Sequence, residues 1–170
     1  MKAFFIVLAA LLAGCSTQTR NPTQVWAMAA AFDKTQAERL MQDGSNQIRG
    51  NGFMRQRGGG VVTCAGQLAM LIPATEYAKE RMFALYGPGD SGTNVSRNPT
   101  FQPDVLEYGT LTRSTKCDAQ GNFTFDRVAD GEFFVNTMVT WSVGYSSQGG
   151  YLMHKVTVKN GQSVNVILSS

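Results

Sequence analysis

Histidine is nearly missing from this 170-residue sequence, with His154 its single copy, and cysteine is held to Cys15, Cys64 and Cys117. Neither a His-Glu-x-x-His nor a Cys-x-x-Cys spacing occurs, so no metal site is expected. There is no Gly-x-Ser-x-Gly elbow to present a nucleophile. His154 lies in the alternating run from Tyr151 to Val158, which reads as a strand and not as the seat of a general base. Asp126 and Asp130 flank a turn with Glu132 close by, where Asp serves its local backbone hydrogen bonds. No catalytic residue is assigned, and no enzymatic activity is expected. Charge is also scarce, at 16% of residues with a net +3. The basic residues form no run and no aromatic-interleaved cluster, so nucleic acid is not an expected partner. Proline is limited to five residues, and no apolar stretch reaches the about 20 residues that a membrane-spanning helix needs.

The longest apolar stretch, Ala3 to Ala13, stands behind Lys2 at the N-terminus. That arrangement is a targeting segment and not a transmembrane anchor. The quartet Leu12-Ala13-Gly14-Cys15 that ends it resembles the lipobox of bacterial lipoproteins. The resemblance implies a signal peptide over 1–14, cleavage before Cys15, and a diacylglycerol and acyl lipid on the Cys15 thiol. More than one chain anchors a protein firmly, since each buried methylene contributes about 0.8 kcal/mol. Ser16, where an Asp would signal retention, implies the outer membrane with the protein on its periplasmic side. No other cofactor is expected. With Cys15 assigned to lipid, Cys64 and Cys117 remain as a pair in an oxidising compartment, and a disulfide is the expectation, with free buried thiols as the alternative.

Residues 15–23 are polar, carry Asn21-Pro22, and read as a tether. Residues 24–47 hold a partial helical stripe through Trp26, Phe32, Leu40 and Met41, expected as a helix or extended arm packed on its own domain. Thr35 and Glu38 have the capping-box spacing and place the helix start at Thr35. From Ile48 onward the chain turns to β grammar. Ile48, Gly50, Gly52 and Met54 share one parity, and Gly58-Gly59-Gly60 reads as a hairpin turn before Val61. Pro73 stops a strand that begins near Gln67. Asp130-Gly131 and Asn160-Gly161 are the two strongest turn signals, and each is expected to close a hairpin with the strands beside it.

Gly50 to Arg55, Gly60-Val61-Val62, Leu71-Ile72-Pro73-Ala74-Thr75, Gly121-Asn122-Phe123-Thr124-Phe125 and Asp130-Gly131-Glu132-Phe133 together resemble the carboxypeptidase regulatory-like domain. The resemblance covers about residues 48–168 and implies a mainly β fold, a transthyretin-like or prealbumin-like antiparallel β-sandwich. It carries over no peptidase residue. The departure from the family is an insertion over 74–104, with a helix capped by Thr75 and a Gly, Ser, Asn-rich stretch after Gly87-Pro88-Gly89.

The expected function is non-catalytic: an envelope scaffold or accessory subunit that binds another protein through sandwich edges and the insertion. Tyr77, Arg81, Tyr86, Arg97, Phe101 and Tyr108 are the candidates for that partner surface, against a plain surface helix and solvated loop. The alternatives are a small-ligand or glycan-binding module, with Trp141, Tyr145, Tyr151 and the insertion aromatics as a stacking platform, and an inhibitor that presents the insertion to a hydrolase.

Overall fold

The computed structural model describes residues 24–170. The signal segment, Cys15 and the tether lie outside the described residues. Along the chain come β1 (Val25–Ala27), α1 (Lys34–Leu40), β2 (Asp43–Arg55), β3 (Val61–Thr63), β4 (Leu68–Pro73), α2 (Glu76–Tyr86), β5 (Ser91–Asn94) and β6 (Thr100–Gln102). They are followed by α3 (Leu106–Thr110), β7 (Arg113–Lys116), β8 (Asn122–Val128), β9 (Gly131–Val143), β10 (Ser146–Val158) and β11 (Ser163–Ser169). One sheet runs β5-β10-β9-β4-β7, and the facing sheet runs β11-β2-β3 with β8 also paired to β2.

The two sheets form a sandwich because alternation gives each an apolar inner face. Ile48, Met54, Phe123, Phe125, Val166 and Leu168 from one sheet meet Leu71, Phe133, Val135, Leu152, Val156 and Val158 from the other. Gly52 makes that approach possible: a Cβ there would lie 2.8 Å from the Thr137 methyl on β9 of the facing sheet. Cys64, behind β3, is disulfide-bonded to Cys117, behind β7, with Cα atoms 5.8 Å apart, so the expected bridge joins the sheets inside the core.

A third layer explains why β9 does not alternate. Phe133, Phe134 and Val135 are buried in succession. Phe134 points away from the sandwich and packs with Ile72, Met153 and the α2 residues Ala78 and Met82. The inserted helix therefore covers the outer face of the larger sheet. Its N-cap is Thr75, as expected, accepting from the Ala78 amide.

Four expectations are corrected. The Asp130-Gly131 turn does not close a hairpin: β8 pairs with β2, whereas β9 pairs with β10 and β4. Nor does Asn160-Gly161, since β11 leaves β10 and joins β2 in parallel, which also makes the sandwich not wholly antiparallel. Both turns are crossings between sheets, fastened by Asn46, which is 1% exposed. The Asn46 amide donates to the Val128 carbonyl and to Asp130, and accepts from the Gln162 amide. Asp130 in turn accepts from the Asn160 amide. Turn chemistry thus reported a reversal of the chain, and the choice of sheet came from a buried amide far away in sequence. Third, α1 is capped by Asp33, whose carboxylate accepts from Gln36, and not by Thr35. Fourth, β2 begins at Asp43, ahead of Ile48. The Gly58–Gly60 turn does close the β2–β3 hairpin.

The N-terminal arm is extended before it is helical. β1 pairs in parallel with β6 of the insertion. Glu80 on α2 then accepts from the Trp26 indole and from the Ala29 and Ala30 amides. These bonds hold the Glu80 carboxyl below its usual pKa, the backbone amides first and the indole next. No helix among the described residues is long and apolar enough to cross a membrane.

Candidate functional site

Four of the six residues expected at a partner surface converge, but on one another. The Arg81 guanidinium lies 3.9 Å from the Phe101 ring, 4.7 Å from Tyr108 and 5.7 Å from Tyr77. Asp104 pairs with the same guanidinium. Phe32 of the arm closes the group, 5.5 Å from Tyr77 and 6.2 Å from Tyr108. Tyr77 and Phe101 are buried, and burial pushes the Tyr108 hydroxyl pKa up. The expectation that these side chains face a partner is corrected: cation–π stacking spends their faces inside the protein, where they join arm, helix and insertion. Tyr86, the last residue of α2, packs against the larger sheet, and burial raises its pKa.

Arg97, the sixth, stands elsewhere. Buried Asn94 folds the chain after β5 into a tight turn, accepting from the Ser96 and Arg97 amides and donating to the Arg97 carbonyl. The turn holds Arg97 on the rim of an open groove of about 1120 Å³. The groove has three walls: the β2–β3 turn with Arg55 and Arg57, the Asn94–Asn98 turn, and the far half of the β9–β10 hairpin from Met138 to Tyr151.

Strand register explains the groove's course. Met138 is opposite Tyr151 and Trp141 is opposite Gln148, so Trp141 and Tyr151 lie on opposite faces of the larger sheet. β5 covers β10 only from Tyr151 to His154. Beyond it stand Gly149 and Gly150. A Cβ on Gly149 would lie 2.0 Å from the Val139 carbonyl oxygen, and one on Gly150 would lie 2.6 Å from the Asn94 carbonyl oxygen. The groove therefore rounds a sheet edge that carries no side chains, with an aromatic ring on each face. Tyr151 is half exposed, and Trp141 is partly buried against the core. Tyr145, the third aromatic of the expected platform, sits at the hairpin tip and is fully exposed outside the groove. A smaller hollow of about 420 Å³ lies beside it, lined by Trp26, Phe83 and Pro88, with Arg97 shared between the two.

Sequence reasoning missed Arg55 and Arg57 as groove residues because their place depends on the sandwich closing. The Gly149-Gly150 pair inside a strand was the available signal, since glycine there marks a close backbone approach.

No family model matches the chain, and no curated protein matches it. Among solved structures it is similar to the crystal structure of a proposed carbohydrate binding protein from Pseudomonas aeruginosa. The two share 26% identity with a TM-score of 0.67, over 83% of this chain and 99% of that one. The likeness and the sheet topology together give a mainly β sandwich.

Proposed function

We propose that this protein is a non-catalytic saccharide-binding module of the cell envelope, held at a membrane by lipid on Cys15. The observation that carries the reading is the groove around the Gly149-Gly150 edge, with Trp141 and Tyr151 on its two faces. Sugar rings present apolar C–H faces that stack on aromatic rings, and their hydroxyls take hydrogen bonds from amide and guanidinium groups of the kind that line the walls. An open groove suits part of a chain better than a small enclosed molecule. Its lining holds no carboxylate and no histidine, which supports binding without cleavage, since glycoside hydrolysis commonly needs paired carboxylates. The similar structure described as carbohydrate binding points the same way.

The test is calorimetric titration of the full chain with a panel of oligosaccharides, repeated with Trp141→Ala. Saturable binding that weakens in the variant, with the fold intact by circular dichroism, is the expected outcome. Absence of binding across the panel would overturn the reading.

One observation favours the accessory-subunit reading as a second. The β10 backbone from Ser146 to Gly149 is paired with β9 and, among the described residues, has no strand on its other side. An added strand from an envelope protein fits such an edge. Crosslinking from native envelopes that recovers one stoichiometric protein, lost when Gln148 is replaced by Pro, would favour it.

A further inference from the structure

We infer that the groove selects acidic saccharides, chains bearing carboxylate or sulfate groups, over neutral ones; this rests on the saccharide reading above and names its ligand class. The lining contains Arg55, Arg57 and Arg97 and no Asp or Glu. None of the three makes an ion pair among the described residues. Several other cations are matched, Arg81 with Asp104, Lys155 with Asp90, Arg127 with Asp43, and Lys79 with Glu76 and Glu132. Arg39, Arg49, Arg113, Lys116 and Lys159 also make no ion pair among the described residues, but none of them lines the groove. Three cations gathered around one concavity, with no internal partner, leave a local positive potential even though the chain as a whole is only weakly basic.

The residue type matters as much as the sign. A guanidinium offers a planar fork that takes a carboxylate or sulfate through paired hydrogen bonds, which an ammonium does not. The three are also held in different ways. Arg55 lies 5.9 Å over the Phe53 ring, which limits its freedom. Arg97 rises from the turn fixed by buried Asn94, and its guanidinium lies against Gly87 at the shared rim. Arg57 extends from the β2–β3 turn with no such support, and is free to follow a charge along a bound chain. Separate walls supply the cations, so charges spaced along a polymer meet them better than one isolated anion does.

The experiment compares the full chain with a galacturonic acid hexamer, a glucose hexamer and polyglutamate, at low and at moderate salt. The uronate hexamer is expected to bind at least about tenfold more tightly than the neutral one at low salt, with the advantage shrinking as salt rises. Arg55→Gln with Arg57→Gln should narrow the uronate-to-neutral ratio by about tenfold. Salt dependence in the unaltered protein keeps the test valid if that variant folds poorly. Equal binding of both hexamers overturns the acidic preference and leaves the saccharide reading standing. Binding of neither overturns both. Polyglutamate binding as tight as uronate would show a charge effect without sugar recognition, and would overturn this inference as well.

Discussion

Two groups of arginine and aromatic side chains stand on this molecule, and they have opposite fates. Around Arg81, the rings of Tyr77, Phe101 and Tyr108 close in and Asp104 supplies the counter-charge. Around the groove, Arg55, Arg57 and Arg97 share a lining with Trp141 and Tyr151 and make no ion pair among the described residues. Composition is similar in both. What differs is whether the partner for each cation lies within the chain. A cluster whose charge is matched within the chain is structural, and one whose charge stays open has binding capacity left over.

Four changes would break or sharpen that contrast. The largest effect belongs to the bridge that encloses the closed cluster: Cys64→Ser with Cys117→Ser frees a loop with a sequence separation of 53. It should cost about 4 kcal/mol in chain-entropy terms, read as a lower denaturant midpoint. A smaller loss is expected from Arg81→Met, which removes the stacked charge and leaves Asp104 alone. Unfolding free energy should fall by about 2 kcal/mol with saccharide binding unchanged; a binding defect with unchanged stability would erase the distinction. Tyr151→Ala should do the reverse, weakening saccharide binding by about tenfold, or about 1.4 kcal/mol, while stability stays within about 0.5 kcal/mol.

The smallest effect concerns pH. Because the Glu80 carboxyl has a lowered pKa in the folded protein, its grip on the arm is fully present above the ordinary carboxylate range. It is lost as pH falls through the folded value. Trp26 donates its indole proton to Glu80. With Trp141→Phe removing the second of the two tryptophans, Trp26 fluorescence should change on acidification before global unfolding. An unchanged signal down to the unfolding transition would show that the arm is held by β1–β6 pairing alone.

Much of the strand content was legible. The parity of Ile48, Gly50, Gly52 and Met54 marked the inner face of β2, Thr75 marked the start of α2, and Cys64 and Cys117 were paired correctly. Local signals fixed these because the physics is local or the choice was narrow. The two crossings were not legible, because Asp130-Gly131 and Asn160-Gly161 specify how the backbone turns and not which sheet receives the next strand. That decision rests on Asn46, a polar residue that looked unremarkable ahead of Ile48. The site divided in the same way. Trp141, Tyr145 and Tyr151 were in view as one stacking platform, of which the groove keeps Trp141 and Tyr151 on its two faces, but Arg55 and Arg57 gained a role only from the approach of distant walls. Conversely, Tyr77, Phe101 and Tyr108 looked available until Arg81 and Phe32 were seen to occupy their faces.

The Asn46 fastening also sets a condition on the order in which the chain can fold. Its partners lie 84 residues away at Asp130 and 116 residues away at Gln162. β2, the hub of its sheet, therefore waits for the last strand before its polar end is satisfied. Contacts of such separation close slowly, because a long loop must be ordered before they repay it. A chain ending at Val158 would keep β8 and β9 but leave β2 with a bare edge and Asn46 short of one bond, so completion of the C-terminus is the event that commits the sandwich.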